Sequence, residues 1–571
     1  MNREVKTALL SVYNKEGIVE FAREIKDLGY KILASGGTAK VLSEAGIEAT
    51  DVASLVGGGA ILGHRVVTLS REVHAGLLAR DNAEDRAELE KLNIPFIDLV
   101  CVDLYPLEEE IAKWQNTLTR LDQSRDTLSQ REREDMTLAI IEKTDIGGPT
   151  MLRSAAKGRR IVICDPEDRF NVVQWLKGGE QDREQFISKL CAKAEFIVAE
   201  YCLTSAQYHS KGKYNGIIGR EILEAKYGEN GWQKPASLFV SKDKDTLALS
   251  EFKLLAGTIP SYNNWADVDR LLQTITHIAG GFDVNSPQPP LWKRGGGVPM
   301  IALGVKHGNP CGAGVAEEPA EAIQKMLEGD LRAIFGGLVM VNFEIDEQLA
   351  EVLLTHKMDN SQRRLLDGII APVFSPEAIA LLKRKGDKCR FLVNPTLSHL
   401  SKNSLDTHSR FRCVRGGFLN QPNYNFILEL PPSPSFEKRG GEVLGKLSVE
   451  QKSDIILAWA VGSTSNSNTV SIVKDGKLLG NGVGQQDRVS CCELAIKRAT
   501  DAQHDIKDAV AYSDSFFPFP DGPLTLIRAG IKTIFATAGS VRDEEIKKVC
   551  AENKVVFVTL PDPEARGFFG H

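Results

Sequence analysis

TALLSVYNKEGIVEFAREIKDLGYKILASGGT, residues 7–38, contains an apolar run, a polar turn, a helical apolar pattern and a second apolar run that ends in Ser-Gly-Gly-Thr. This succession is typical of a strand, a helix and a second, parallel strand. Two more strand-sized runs follow, FIDLVCVDLYP at 96–106 and RRIVICD at 159–165. The first 200 residues are therefore predicted to form an open, mostly parallel α/β sheet with ligands at the carboxyl ends of its strands.

Beyond residue 200, Gly- and Pro-bounded apolar runs alternate with helical stretches, which predicts a second α/β region. The run PMIALGVKHGNPCGAG at 299–314 has later counterparts, among them NTVSIVKDGKLLGNGVG at 468–484 and KTIFATAGSV at 532–541. This recurrence indicates two related halves. We predict three domains, with the bounds 1–200, 201–380 and 381–571.

Two segments interrupt this pattern, at residues 283–298 and 431–442. Both contain a Pro- and Ser-rich start, an aromatic residue, a Lys-Arg pair and glycines. Because neither has apolar periodicity, both are predicted to be exposed loops that do not pack in a core. A surface insertion is tolerated since loop-closure entropy grows slowly with length. The alternative is a basic loop that guards a site.

The composition of the chain argues against several classes of protein. A formal net charge of −6 and a pI near 6.0 argue against a nucleic-acid scaffold, which needs a concentrated basic surface. No stretch approaches the roughly 18 to 20 apolar residues of a membrane span, so a cytoplasmic protein is expected. The ten cysteines lack the CxxC spacing of a zinc site or redox pair and are expected to be reduced thiols.

Two strand-to-helix junctions of the first region suit an anion. SVYNKEG and SGGT place hydroxyls, glycines and free helix N-terminal amides after a strand, and a lysine adds a full charge. Ordinary strand-to-helix turns use the same residue types, so that alternative stays open. The candidate phosphate-binding residues are Ser11, Lys15, Ser35, Gly36, Gly37 and Thr38.

Six motifs of the first region occur in order: SVYNKEG, SGGTA, HAGLLAR, IDLVCVDLYP, TDIGGPTMLRSAAK and VICDPED. Together they resemble the IMP cyclohydrolase domain of the bifunctional AICAR transformylase/IMP cyclohydrolase family. The resemblance implies a methylglyoxal-synthase-like domain in which a carboxamide nitrogen attacks a formyl carbon and water is then lost. It also implies catalytic roles for Tyr105, Asp145 and Lys157, which position groups and assist proton transfer. Arg65 and Thr68 are implied to bind substrate.

One motif departs from the family. HRVVTLSR, residues 64–71, stands where the family has GRVKTLHP, so the catalytic lysine aligns with Val67 and the histidine with Ser70. A valine carries no charge and moves no proton. Ring closure is expected to lose a contribution of roughly 10²- to 10⁴-fold, unless Arg71 substitutes as a cation that stays protonated. The alternative is a degenerate module that binds phosphate or a nucleotide.

In the second region, Lys306 and His307 follow the apolar run PMIALGV and are expected to project from a strand end into a cleft. A weakly nucleophilic amine needs a base as it attacks a formyl group, and a cation stabilises the oxyanion that forms. His307 is the candidate base and Lys306 the candidate electrostatic partner. A histidine in an ordinary turn is the alternative.

VKHGNPCG is similar to the family's VKHxxPxG motif and is accompanied by IFGGLVMVNFEID, DGIIAP, SNSNTV, GVGQQDR, SDSFFPFPDG, AGSVRDEE and RGFFGH. This resemblance implies formyl transfer from 10-formyltetrahydrofolate to AICAR, assisted by Asn468, in two related cytidine-deaminase-like α/β units. It implies no metal, and a homodimer that binds AICAR, formyl-AICAR, IMP and folate. The implied pocket residues are Phe335, Gly336, Asp367, Gln486, Arg488, Phe517, Asp521 and Arg566.

Two departures concern this second region. KYGENGWQ replaces the family's RYGxNPHQ, and its candidate binding residues are Lys226, Tyr227 and Asn230. Lys226 can pair with a phosphate without a bidentate fork, and Trp232 can stack on a flat ring or pack at a rim. A family lysine before SNSN aligns with Ser463. A non-catalytic nucleotide-binding protein is the remaining alternative, disfavoured because binding alone needs no general base.

Overall fold

The chain forms two compact units, residues 1–218 and 219–571. The computed structural model describes residues 6–59, 61–62, 66–124, 130–241, 245–285, 298–359 and 362–570. Among these residues, no helix is long and apolar enough to cross a membrane. The ten cysteines are free thiols, and most of them are buried.

The first unit is an α/β domain. Its strands are β1 (Thr7–Ser11), β2 (Lys31–Ala34), β3 (Thr50–Asp51), β4 (Leu99–Val102) and β5 (Ile161–Ile163). Its helices are α1 (Ile18–Asp27), α2 (Gly36–Glu44), α3 (Val52–Leu55), α4 (Arg71–Leu78), α5 (Ala83–Lys91), α6 (Leu107–Ser124), α7 (Gln130–Glu142), α8 (Gly147–Lys157), α9 (Asp168–Lys177) and α10 (Arg183–His209). The strands form one sheet of order β3-β2-β1-β4-β5, and every neighbouring pair is parallel. The prediction of an open parallel sheet is confirmed.

The core of this unit follows from the apolar pattern that predicted it. Leu9 and Leu10 of β1 are fully buried, and Ile18, Phe21 and Ile25 line one face of α1 at spacings of three and four residues. Each such side chain contributes about 1.5 to 3 kcal/mol when it leaves water. Apolar burial therefore fixes the sheet and leaves the polar residues that follow each strand at its carboxyl edge.

The second unit is larger. Its strands are β6 (Arg220–Ala225), β7 (Ala236–Val240), β8 (Lys253–Ala256), β9 (Met300–Lys306), β10 (Asn309–Ala316), β11 (Leu338–Val341), β12 (Gly368–Ala371), β13 (Arg390–Val393), β14 (Ser409–Val414), β15 (Gly417–Pro422), β16 (Glu442–Leu444), β17 (Val470–Lys474), β18 (Lys477–Gly482), β19 (Val510–Ser513), β20 (Thr533–Ala538) and β21 (Val556–Pro561). Its α-helices are α11 (Tyr262–Asn285), α12 (Pro319–Gly329), α13 (Glu347–Thr355), α14 (Pro376–Leu382), α15 (Pro434–Lys438), α16 (Val449–Ser463), α17 (Arg488–Asp501), α18 (Asp521–Arg528), α19 (Asp543–Glu552) and α20 (Asp562–Ala565). Short 3-10 helices span Leu249–Glu251, Pro395–His399 and Lys402–Ser404.

Twelve of these strands form one mixed sheet of order β16-β21-β20-β19-β17-β18-β10-β9-β11-β12-β13-β8. The strands on either side of the β10–β18 pair follow the same order from the centre outward. One series runs β8, α11, β9, β10, α12, β11, α13, β12, α14 and β13, and the other runs β16, α16, β17, β18, α17, β19, α18, β20, α19 and β21. This matching order supports the two related halves inferred from the sequence.

The three predicted domain bounds stay predictions. The boundary at 200–201 falls within α10, and the boundary at 380–381 falls within α14. The first compact unit extends instead to residue 218, because α10 packs on α8 and β5 of the parallel sheet.

The expectation of an exposed loop is wrong for residues 431–442. Phe436, in the short helix α15, is 2 % exposed and belongs to the central core of the second unit. A Cβ at Gly441 would lie 2.4 Å from the Phe436 ring, so the glycine leaves room for that ring. A single aromatic residue anchors the segment, which apolar periodicity does not detect. In the other predicted insertion, residues 286–297 lie outside the described residues.

Candidate functional sites

The first candidate site lies at the carboxyl edge of the parallel sheet. Ser11 ends β1, Ser35 follows β2, and their Oγ atoms are 2.7 Å apart. Thr38 Oγ1 accepts hydrogen bonds from the Val12 amide at 3.1 Å and from Lys15 Nζ at 3.3 Å. The predicted residues Ser11, Lys15, Ser35 and Thr38 are thus brought together in what we call the anion cluster.

Asp103, which the sequence did not single out, balances the charge of the anion cluster. It follows β4 and accepts hydrogen bonds from the backbone amides of Tyr13 and Asn14. Burial raises the pKa of Asp103. Burial also lowers the pKa of Lys15, against the attraction of Asp103. The turn that carries Lys15 is therefore fixed by a carboxylate from the neighbouring strand.

Tyr105 and Asp145 adjoin the anion cluster. The ring centroids of Tyr13 and Tyr105 are 4.7 Å apart. The Asp145 amide donates a hydrogen bond to the Tyr201 hydroxyl at 2.7 Å. Burial raises the pKa of Asp145, and the charge of Asp103 adds to that effect. A carboxyl with a raised pKa beside a tyrosine suits proton transfer.

Asp145, just before α8, and Lys157, at the end of α8, both line a cavity of about 700 Å³ between α8 and α10. Lys157 lies in the last turn of α8, where its side chain is exposed. The cavity is lined by Leu78, Thr144, Asp145, Ile146, Pro149, Thr150, Arg153, Ser154, Lys157, Val198, Tyr201, Cys202, Ser205, Ala206 and His209. It has room for a small ligand.

Other predicted residues of this region have different surroundings. Thr68 is buried, and a Cβ at Gly147 would lie 2.6 Å from its Oγ1, so Thr68 packs on the first turn of α8. Gly36 and Gly37 are exposed in the first turn of α2, where their amides are accessible to an anion. Arg65 lies outside the described residues.

The divergent motif has local structural roles. The Ser70 hydroxyl accepts a hydrogen bond from the Val73 amide at 3.2 Å and caps α4. The Arg71 side chain is 74 % exposed and bonds Glu72 at 3.2 Å. Val67 is half-buried. Of the three described residues Val67, Ser70 and Arg71, only Arg71 carries a charge, and it bonds the neighbouring Glu72.

The second candidate site lies at one edge of the twelve-stranded sheet. Lys306 ends β9, and His307 and Gly308 form the tight turn to β10 with positive φ values of 54° and 73°. The Gly308 amide donates to Asp267 Oδ1 at 2.7 Å. Lys306 Nζ donates to the Phe335 carbonyl at 2.6 Å. The His307 side chain is exposed, so the imidazole is accessible from solvent.

Asn468 lies on the loop before β17, and contacts tie that loop to the histidine turn. The Asn466 amide donates to Asn309 Oδ1 at 3.2 Å. Asn468 Nδ2 donates to the Gln485 carbonyl at 2.8 Å. The predicted base and the predicted assisting amide thus belong to different series, on segments that the hydrogen bond between Asn466 and Asn309 joins.

Three predicted pocket residues precede neighbouring strands at this edge. Phe335 and Gly336 lie before β11 and Asp367 lies before β12, next to the end of β9. Phe335 is 49 % exposed. Asp367 accepts a hydrogen bond from the Arg384 guanidinium at 2.6 Å.

The remaining pocket residues follow strands of the second series. Arg488 pairs with Asp514, which is fully buried after β19. Arg566 pairs with Asp562 at 2.9 Å after β21. Phe517 is 1 % exposed, and its ring packs in a hydrophobic core and is not open to solvent. Gln486 and Asp521 are exposed on neighbouring segments.

The residues of KYGENGWQ lie between β6 and β7. Lys226 and Asn230 are exposed, and Trp232 is 80 % exposed. The carbonyl of Tyr227 accepts a hydrogen bond from the Tyr262 amide at 3.0 Å. Ser463, by contrast, is fully buried in the last turn of α16 and faces the core.

Sequence reasoning missed Asp267, which holds the histidine turn from α11. Burial raises the pKa of Asp267, while the hydrogen bond from the Gly308 amide opposes that rise. A signal was present: Asp267, Arg270, Thr274 and His277 form a polar stripe at helical spacing on a helix that is otherwise buried and apolar.

The turn at 306–308 has a structural copy at 474–476, between β17 and β18. The central residues of the copy have φ values of 54° and 69°. In both turns an aspartate on the preceding long helix, Asp267 or Asp454, accepts the glycine amide at 2.7 Å. In both, the lysine donates to a main-chain carbonyl. The copies differ in the middle residue, a histidine in the first and an aspartate in the second.

Comparison with known proteins assigns the chain to a family. The model of the AICARFT/IMPCHase bienzyme matches residues 155–498, and that of the MGS-like domain matches residues 17–124. The chain belongs to the AICARFT/IMPCHase bienzyme family. Membership assigns it two reactions of purine biosynthesis, formyl transfer to AICAR and ring closure to IMP. The match at 17–124 also agrees with the methylglyoxal-synthase-like fold expected for the first unit.

Relatives in this family extend over nearly the whole chain. The bifunctional purine biosynthesis protein PurH of Caldicellulosiruptor bescii is 34% identical over 552 residues, 95% of each chain. That of Anoxybacillus flavithermus is 33% identical over 554 residues, 95% of each chain. A solved structure titled "Crystal structure of ForH" is 31% identical and covers 36% of this chain and 100% of its own, with a TM-score of 0.29.

Proposed function

We propose that formyl transfer takes place at the edge where the histidine turn meets the Asn468 loop, with 10-formyltetrahydrofolate as donor. The observation that carries this proposal is the accessible His307, held by Asp267 through the turn and joined to the second series through Asn309 and Asn466. A base, a cation and an amide then lie together where strands from both series end.

The proposed step uses these groups in turn. The AICAR amine attacks the formyl carbon, the new N–C bond forms, and the bond from that carbon to the folate nitrogen breaks. His307 accepts the amine proton, and the departing folate nitrogen takes up a proton. Asn468 orients the formyl oxygen, and Lys306 adds positive charge near the developing oxyanion.

The first unit is proposed to perform the ring closure. The anion cluster would hold the phosphate of formyl-AICAR, since it combines hydroxyls, exposed helix N-terminal amides and a lysine. Tyr105, Asp145 and Lys157 would transfer protons while the carboxamide nitrogen attacks the formyl carbon. The alternative, a degenerate nucleotide-binding module, rests on Val67.

Three finer assignments complete the proposal. The two matching series of the second unit are proposed to be cytidine-deaminase-like units, because each places a β-hairpin before parallel strands. The enzyme is proposed to act as a homodimer and to reside in the cytoplasm.

The test supplies the purified full chain with AICAR and 10-formyltetrahydrofolate and measures formyl-AICAR and IMP separately. Both products are expected. His307→Ala should lower formyl transfer by roughly 10²-fold or more, the share of a general base, while His399→Ala, on an exposed 3-10 turn, should leave the rate unchanged. Full transfer by His307→Ala would refute the assignment. Formyl-AICAR without IMP would select the degenerate module, and Val67→Lys should then create IMP formation.

A further inference from the structure

Among the described residues, the ring-closure site has an uncharged valine where the family has a catalytic lysine. When the carboxamide nitrogen attacks the formyl carbon, negative charge develops on the formyl oxygen. At the position of the family's lysine stands Val67, which is half-buried. Arg71 lies in the first turn of α4 and bonds the adjacent Glu72. If the unit closes the ring, a cation close to Tyr105 and Asp145 would take the place of that lysine, in addition to Lys157, which lines the cavity from the far end of α8.

Lys143 is a cation close to Tyr105 and Asp145. It follows α7 directly, two residues before Asp145, and its Nζ is 6.0 Å from the ring centroid of Tyr105. The Tyr105 amide in turn hydrogen-bonds the Asp145 carboxylate. Lys143 therefore contacts the residue that is proposed to transfer protons in this site.

The ammonium of Lys143 is also held in position. Its Nζ hydrogen-bonds Glu110 of α6, and Glu110 binds Lys113 at 2.9 Å as well. The bond to Glu110 raises the pKa of Lys143, and the Tyr105 hydroxyl contributes to the same effect. Lys143 consequently stays charged at neutral pH and acts as a cation.

We infer that Lys143 is a catalytic residue of ring closure and supplies the positive charge that Val67 cannot. This inference rests on the proposed function of the first unit. In the step, the carboxamide nitrogen forms a bond to the formyl carbon, and the electron pair of the C=O bond moves to oxygen beside the ammonium. The carboxamide nitrogen loses a proton and the oxygen gains one. The nitrogen that carried the formyl group then loses its proton, its electron pair forms a C=N bond as the C–OH bond breaks, and the leaving hydroxide takes up a proton and departs as water.

The test supplies formyl-AICAR to the full chain and follows IMP. Lys143→Met is expected to lower kcat by roughly 10- to 100-fold, with a smaller change in KM. This fall in kcat is smaller than the fall expected on removal of an oxyanion-stabilising group that is buried in a site. The reason is that the Lys143 side chain is 42 % exposed, so solvent and salt partly screen its charge. Lys143→Arg keeps the charge and should recover part of the rate. Thermal unfolding of each variant should match that of the unaltered chain.

Lys113→Met is the matched control, since Lys113 binds the same carboxylate of Glu110. It should stay within about twofold of the unaltered chain, as expected for an exposed surface charge. A Lys143→Met rate within twofold of the unaltered chain, an arginine variant as slow as the methionine variant, or an equal loss in Lys113→Met would each overturn the assignment of Lys143. Absence of IMP from the unaltered chain would instead overturn the proposed ring closure itself.

Discussion

Acid should destabilise the second unit through one buried histidine. His277 is fully buried on α11, with its ring 5.2 Å from that of Tyr424 and 5.8 Å from that of Trp459. Burial lowers the pKa of His277 from 6.5 to about 4, although its Nδ1 donates to the Gln273 carbonyl at 2.7 Å. Between these two pKa values the unfolded chain binds a proton that the folded chain does not bind, so stability falls as pH falls.

The size of this loss of stability follows from the shift in the pKa of His277. One pKa unit corresponds to about 1.4 kcal/mol, so the titration of His277 changes the free energy of unfolding by roughly 3 kcal/mol, and most of that change falls between pH 7.5 and pH 4.5. Replacement by phenylalanine removes the titration and keeps an aromatic ring. The hydrogen bond to Gln273 is also lost, at a cost of about 1 kcal/mol at every pH.

The assay is urea unfolding of the full chain at pH 7.5 and pH 4.5, followed by tryptophan fluorescence. The loss of unfolding free energy between the two pH values should be smaller in His277→Phe than in the unaltered chain by roughly 2 to 3 kcal/mol. His399→Gln, at an exposed histidine, serves as the control and should keep the full loss. If His277→Phe loses as much stability on acidification as the unaltered chain, the argument from burial is wrong.

Three further substitutions test the packing. Phe436→Ala should lower the free energy of unfolding by about 3 to 5 kcal/mol in denaturant titration, because the ring is buried in the core; a surface-like change below about 0.5 kcal/mol would contradict this. Asp514→Ala leaves the Arg488 guanidinium without its buried partner and should cost about 3 to 5 kcal/mol in the same titration, so an unchanged midpoint would refute the pairing. Gly158→Ala would place a Cβ 1.9 Å from the Leu77 carbonyl oxygen and should cost about 1 to 3 kcal/mol, measurable as a lower Tm; an unchanged Tm would show that the contact relaxes freely.

Local patterns account for what the sequence predicted well. The parallel sheet of the first unit follows from apolar periodicities within single elements. The anion cluster follows from the strand-to-helix junctions at Ser11 and Ser35. The pairing of β10 with β18, which joins the two series, is a contact between distant segments and has no local pattern. The same holds for Asp103, which reaches the anion cluster from another strand.

Other misses have a different cause. Phe436 anchors an insertion through one side chain, and Asp267 is a single buried carboxylate on an apolar helix. Neither residue is part of a repeating apolar pattern, so the hydrophobic periodicity of the sequence does not reveal it. In both cases the structural role of the residue depends on a neighbour that is distant in sequence. Asp267, for example, acquires its role because the Gly308 amide lies 2.7 Å from its carboxylate.

The repeated turn has the same backbone geometry in both series but a different side chain at its middle position. At 474–476 the chain keeps the lysine, the glycine and the supporting Asp454, and it has an aspartate where the other copy has His307. The turns at 306–308 and 474–476 thus have the same backbone geometry in both series of strands. The two turns therefore share one backbone scaffold, and the imidazole of His307 is the chemical group by which the first turn differs from the second.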